Sequence, residues 1–130
     1  MKLTLIYVEL KSGYSDDGPA WIGLGESSKS GKTIYFNDRA FQSSKGRGVG
    51  ANYFDLETDE QYWISGVKRD RSDRHWAGTG SIMVERRALA EYLDAVGLKK
   101  LPERGYEIVE LAEGNVKERI KAQQNHEGDF

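Results

Sequence analysis

Residues 33–42, TIYFNDRAFQ, set two short β-prone runs on either side of Asn37-Asp38. Thr, Ile, Tyr and Phe suit a pleated, half-buried backbone. Asn and Asp tolerate the positive φ that a two-residue hairpin connection demands. The stretch predicts a strand at Thr33–Phe36, a tight turn, and a return through Arg39–Gln42. A chain built from such units has antiparallel, hairpin-linked strands, and the neighbouring sequence repeats the pattern.

Upstream, Lys29-Ser30-Gly31 reads as a turn, Ala20–Ser27 as a strand, Gly13–Pro19 as turn chemistry and Leu3–Leu10 as a first strand. Downstream, SSKGRGVGA (43–51) reads as a flexible loop. Asn52–Glu57 and Gln61–Lys68 flank Thr58-Asp59-Glu60 as another hairpin. A polar loop at 69–75 precedes a strand at Ser81–Val84. Val84, Ala88, Leu89, Tyr92, Leu93 and Val96 then recur at helical spacing, which predicts an amphipathic helix over 85–96 with Gly97 at its C-cap. YEIVEL (106–111) is a short strand. Asn115 with Glu118 three residues later resembles a capping box and opens a polar helix over 116–124, followed by a fraying tail.

These elements predict a β-rich α+β fold. The expected form is a strongly bent antiparallel sheet or small, partly open barrel of hairpins, with one packed amphipathic helix and a polar C-terminal helix. Long crossovers are not evident, so a parallel α/β sheet is not expected. Residues 1–112 are expected to form a single globular β-rich domain that includes helix 85–96. Residues 113–130 supply the C-terminal helix and a flexible tail.

The composition fits one domain of 130 residues with enough apolar sequence for a core, and Gly (15) far exceeds Pro (2). The formal net charge of −2 gives no overall field toward polyanions, so any such role must come from a local patch. Absence of cysteine excludes disulfides, thiolate metal sites and cysteine nucleophiles. The apolar run at the N-terminus is interrupted by Glu9 and Lys11 and is too short for a membrane span. The expected setting is cytoplasmic, with no membrane partner.

GLGESSKSGKT (23–33) ends as a P-loop ends, but the motif requires Gly at position 26, where this chain has Glu. A carboxylate there would repel phosphate, and Ile34-Tyr35-Phe36 favour strand where the motif needs a helix. GRGVGA (46–51) likewise opens no helical pattern, which leaves no dinucleotide reading. Asp16-Asp17 is explained by its turn without a metal. The expectation is therefore no cofactor and no metal.

The densest chemistry lies in residues 62–76, YWISGVKRDRSDRHW. Alternation puts Tyr62, Ile64 and Gly66 on one face and Trp63, Ser65 and Val67 on the other. Arg and Lys neutralise phosphates while an aromatic ring stacks on a base, which is how single strands are held without sequence readout. The candidate ligand-binding residues are Trp63, Lys68, Arg69, Arg71, Arg74, His75 and Trp76. Lys29, Lys32, Arg39, Lys45 and Arg47 extend that surface if the fold gathers their hairpins. Against this stands a plain solvated loop, in which Asp70 and Asp73 offset part of the charge. An enzymatic alternative uses His75 as a general base beside Asp73, with Arg74 stabilising charge in a metal-independent, ribonuclease-like hydrolysis. The residue pattern favours a binding module over an enzyme.

The segments ELKSGYSDDGPAWIG, SKSGKTIYFNDRAFQ and YFDLETDEQYWISGVKRDRSDRHWAGTGSI resemble a family of short, uncharacterised bacterial proteins, over roughly residues 2–97. Some members carry the label deoxyxylulose phosphate synthase. That enzyme class needs a thiamine diphosphate site across large α/β domains, which a chain of this length does not supply. The resemblance implies a compact bacterial domain and no established catalytic residues. It also implies that Trp21, Trp63, Asp73, Arg74, His75 and Trp76 belong to one unit. The resulting expectation is a small intracellular module contacting an anionic partner, with nucleic acid foremost. The alternatives are the hydrolase and a protein-interaction module of an accessory or antitoxin-like kind.

Overall fold

The computed structural model describes residues 3–12, 18–48, 51–71, 73, 80–111 and 114–128, with 45–48 and 123–128 described by backbone alone. The hairpin forms as its sequence predicts. β3 (Thr33–Phe36) and β4 (Arg39–Gly48) pair from Phe36↔Arg39 to Thr33↔Gln42. Asn37 and Asp38 both adopt positive φ, 54° and 56°, the twist that matches a two-residue connection to its strands. Ile34, Phe36 and Phe41 face one way, while Tyr35 and Ala40 face the other.

Four more strands complete a barrel: β1 (Leu3–Leu10), β2 (Ala20–Ser27), β5 (Ala51–Asp55) and β6 (Gln61–Gly66). Each pairs antiparallel with the next in sequence. β6 then returns to β1, from Ile6↔Gly66 to Leu10↔Tyr62. The expected bent sheet is thus a closed six-stranded up-and-down barrel, which leaves none of its six strands without a neighbour on either side. β4 continues to Gly48 and β5 begins at Ala51, so most of the segment expected as a loop is strand, interrupted by a register shift between Ser43 and Gly48. Turn-prone Ser and Gly are held there by pairing across a bulge.

The barrel is filled by Ile6, Val8, Ile34, Phe36, Phe41 and Tyr62, with Ile64 completing the cluster. Phe41 and Tyr62 meet edge to face at 4.7 Å, and burial pushes the Tyr62 phenol up to about 12. β1 and β2 also bury their outer faces. Leu5, Tyr7, Ala20 and Ile22 lie under a second layer, which contains the expected packed helix.

That layer is a parallel βαβ unit. β7 (Ile82–Glu85) runs parallel to the start of β2, from Ala20↔Ile82 to Ile22↔Val84. A 3-10 turn (Arg86–Ala88) leads into α1 (Leu89–Val96), and β8 (Tyr106–Val109) pairs parallel to β7. The crossover judged absent is therefore present, carried by a four-residue strand too short to reveal its partner. Ala88 and Tyr92 seal the outer faces of β1 and β2. Gly97, at φ 73°, ends α1, with Gly97 N–H donating to Asp94 and Leu98 N–H to Leu93. Burial, with the hydrogen bond to Tyr106 at 3.2 Å, raises the Tyr92 phenol, keeping it neutral.

β2 serves two partners along one edge: β7 at Ala20–Ile22 and β3 at Glu26–Ser27. At the fork the backbone of Leu24 is satisfied by side chains. Its N–H donates to Glu85 Oε1 at 2.9 Å, and its carbonyl accepts from Arg87 at 3.4 Å. Arg87 also pairs with Glu85. A Cβ on Gly23 would stand 2.4 Å from the Phe36 ring and 2.7 Å from Glu85 Oε1, so only glycine lets the fork close.

The C-terminal helix, α2 (Val116–Gly128), is longer than expected and lies outside β3 and β4. Val116 and Ile120, one turn apart, are buried against Ala40, with Tyr35 and Leu56 alongside. Arg119 grips both carboxylate oxygens of Glu57 (2.8 and 2.9 Å), the Asp38 carboxylate and the Asp38 carbonyl (both 3.0 Å). Lys117 pairs with Glu26 and stands 5.2 Å over the Tyr35 ring.

Glu85→Ala, which leaves the half-buried Leu24 N–H without its partner and removes the fork's bridge, is expected to cost about 1–3 kcal/mol, read from urea melts. Glu110→Ala, which breaks only the exposed pair with Arg86, is expected to leave the melt nearly unchanged. Equal effects would contradict the role given to Glu85.

Candidate functional site at the cationic end of the barrel

In an up-and-down barrel, successive connections emerge at alternate ends. The turns at 37–38 and 56–60 therefore share one end, and the turn at 28–32 shares the other with the chain leaving β6 at 67–71. This separates charge. The first end carries Asp38, Glu57, Asp59 and Glu60 in those turns, and the cations beside them, Lys11, Arg39 and Arg119, each pair with an acid. The second carries Lys29, Lys32, Lys68, Arg69 and Arg71 against one exposed acid, Asp70. A chain of net charge −2 thus has a basic pole despite its acidic balance.

At the acidic end the charges are largely tied up. Arg119 takes Asp38 and Glu57, and Arg39 bonds Asp55 at 2.9 Å. Asp55, almost wholly buried, also accepts the N–H groups of Glu57 (2.8 Å) and Thr58 (3.3 Å), shaping that turn. At the basic end, among the described residues, none of Lys29, Lys32, Arg69 and Arg71 enters an ion pair, and all four are exposed. The turn over Lys68–Arg71 closes with Arg71 N–H donating to the Lys68 carbonyl at 3.1 Å, and Arg71 takes φ 64°.

Asp73 pins this turn from beneath. Its Oδ1 accepts the Lys68 N–H at 2.7 Å, the side chain is buried, and Oδ2 has no hydrogen-bond partner among the described residues. Burial raises its carboxyl above the usual range, partly opposed by the bond from Lys68.

The barrel is hollow at the same end. Ile6, Ile34, Ile64 and Tyr53, all facing inward, wall a pocket of about 230 Å3. Thr4 and Ser27 line it too, bringing hydroxyls to an otherwise apolar wall, and the β6 backbone at Ser65 borders it. Gly66, the last residue of β6, leaves its side open: a Cβ there would meet nothing within 4 Å. The wall beside Ile64 is braced by Asn52, whose side-chain amide bonds the Ile64 carbonyl (2.7 Å) and N–H (2.8 Å) where the β5–β6 ladder stops.

A larger cleft of about 670 Å3 lies between β2, β3 and the start of α2. Four of its five charged lining side chains are in ion pairs, Glu26 with Lys117, Asp38 with Arg119 and Arg87 with Glu85, and the fifth is the acid Glu118.

The predicted site residues divide. Lys68, Arg69 and Arg71 sit together on the exposed turn, and the barrel brings Lys29 and Lys32 to the same end. Arg39 is at the other end, bound to Asp55. Trp63 is 38% exposed on the outer wall opposite Glu9, three residues and about 10 Å of strand before β6 ends. Among the described residues, the aromatic ring that lines the pocket is Tyr53. Trp21 is half-buried against the barrel interior. Arg74, His75 and Trp76 lie outside the described residues, as do the side chains of Lys45 and Arg47, and with them the site of the hydrolytic alternative. The sequence did not single out Glu9, Asp55 and Glu85, three acids buried by specific partners. Glu9 sits inside an apolar run and accepts from Tyr7 and from Lys11, the latter at 2.8 Å.

Among the described residues no helix is long and apolar enough to cross a membrane, and no cluster of ligating side chains could hold a metal ion. No family model, curated protein or solved structure matches the chain.

Because its carboxyl is raised, Asp73 holds a proton more tightly in the folded than in the unfolded state. Its favourable contribution is then full in acid, below the unfolded carboxylate pKa, and is lost as pH rises through the folded one. Asp73→Asn keeps an acceptor for Lys68 N–H without the charge. The variant is expected to be more stable than the parent at pH 7 in urea melts, with the gap closing in acid. A variant less stable than the parent at pH 7 would show that Asp73 is needed as an anion.

Proposed function

We propose that this protein is a small intracellular bacterial binding module that holds single-stranded nucleic acid at the basic end of its barrel. The observation that supports it best is the sorting of connections: five cations at the end with the open mouth, four of them in no ion pair among the described residues, and acids at the other. A flexible polyanion gains from such a pole by releasing counterions, and needs no catalytic group or metal. The curved rim between the turns at 28–32 and 67–71 gives the backbone a path past the mouth. A protein partner is the second class; among the described residues the large apolar side chain exposed at this end is Leu3, which alone makes no docking face.

The test is anisotropy of a labelled short oligothymidylate against salt. If Lys29, Lys32, Arg69 and Arg71 each meet a phosphate, log K falls against log salt with a slope of up to about −3, since each contact contributes about −0.7 on a single strand. Arg69→Ala and Arg71→Ala are each expected to lower that magnitude by about 0.7 and to weaken binding. Lys100→Ala, an exposed cation beyond α1, should change neither. No binding at low salt, or equal loss on Lys100→Ala, would sink the proposal.

A further inference from the structure

We infer that the mouth of the barrel is a pocket for one unstacked nucleobase of the bound strand, a proposal that rests on the nucleic-acid reading above. The cavity holds about 230 Å3, several times the ~30 Å3 that one water occupies in the liquid. That is the scale of a single ring system, not of a whole nucleotide. Its walls are Ile6, Ile34 and Ile64 with the Tyr53 ring, apolar surface suited to the face of a base.

The hydroxyls of Thr4 and Ser27 stand among these walls. Each rotates to donate or accept, so they can meet the polar edge of different bases without fixing which one enters. The cavity is also shallow. Phe36, Phe41 and Tyr62 fill the barrel farther in, and at Gly25 the Ile6 side chain comes within 2.4 Å of where a Cβ would stand. An acyl chain would need a deeper tunnel. The surrounding charge selects the rest of the ligand: the turn with Lys29 and Lys32 follows Ser27 and the turn with Arg69 and Arg71 follows Gly66, both pocket-lining residues, so cations adjoin the mouth that flanking phosphates would pass.

Gly66 makes the idea testable without disturbing the core. It is exposed at the mouth, its φ is not in the left-handed region, and a Cβ added there meets nothing within 4 Å. Gly66→Trp should fold normally, checked by thermal melting, and plug the pocket with its own ring; Gly66→Leu serves as a second, smaller plug. Affinity is measured for an oligothymidylate and for an abasic strand of equal length. The expected result is a loss of about tenfold or more for oligothymidylate on Gly66→Trp. The salt slope should be unchanged, and parent and variant should bind the abasic strand equally. Unchanged oligothymidylate affinity, or an equal loss on the abasic strand, overturns the base pocket while leaving the basic end as a binding surface. A parent protein that binds neither strand overturns both readings.

Discussion

β1 is paired on both edges and buried on both faces, and the remaining architecture follows from that. Its edges take β2 and β6, which closes the barrel. Its even-numbered side chains, Ile6 and Val8, fill the interior, while Leu5 and Tyr7 create an outer apolar face that must itself be covered. A closed antiparallel barrel has no need of a βαβ unit, but this doubly buried strand pair does, and β7 with α1 supplies it. The cost appears at β2, which must hold β7 and β3 on one edge. Glu85 and Gly23 resolve that conflict, one by replacing a backbone partner and the other by leaving room for Phe36.

Closure also decides the electrostatics. Once six strands alternate in direction, each turn is assigned to an end by its place in the order, whatever its composition. The order here sends the acid-rich turns one way and the basic ones the other. The acidic turns then serve structure, as Asp38 and Glu57 anchor α2 through Arg119. The basic turns anchor nothing comparable among the described residues. Cations such as Lys29, Lys32, Arg69 and Arg71, in no ion pair among the described residues, are what a polyanion-binding module requires.

Local chemistry was legible in the sequence, and long-range partnership was not. Asn37-Asp38 announced its hairpin because few residue types accept positive φ, and Gly97 announced the end of α1 for the same reason. Residues 43–48 misread as a loop because Ser and Gly carry no β signal of their own, and pairing across a bulge imposes the strand. The parallel partners of IMVE and YEIV were invisible because four residues carry no record of which edge they meet. In the candidate site, the run 62–76 suggested that Trp63 and the arginines act together. A strand rising about 3.3 Å per residue sets Trp63 about 10 Å before the end of β6, while Lys29 and Lys32, expected there only if the fold gathered their hairpins, arrive from another one. The pocket could not be read at all, since its walls come from five different strands.

The central claim is that binding happens at the basic end of the barrel and nowhere else. The most direct measurement is an amide-resolved NMR titration of the labelled protein with a short oligothymidylate. The account predicts shifts that grow with ligand at residues 28–32 and 65–71, with little change at 37–38, 56–60 or along α2. Shifts centred on those acidic turns or on the cleft beside α2, or a spectrum that does not move, would contradict it.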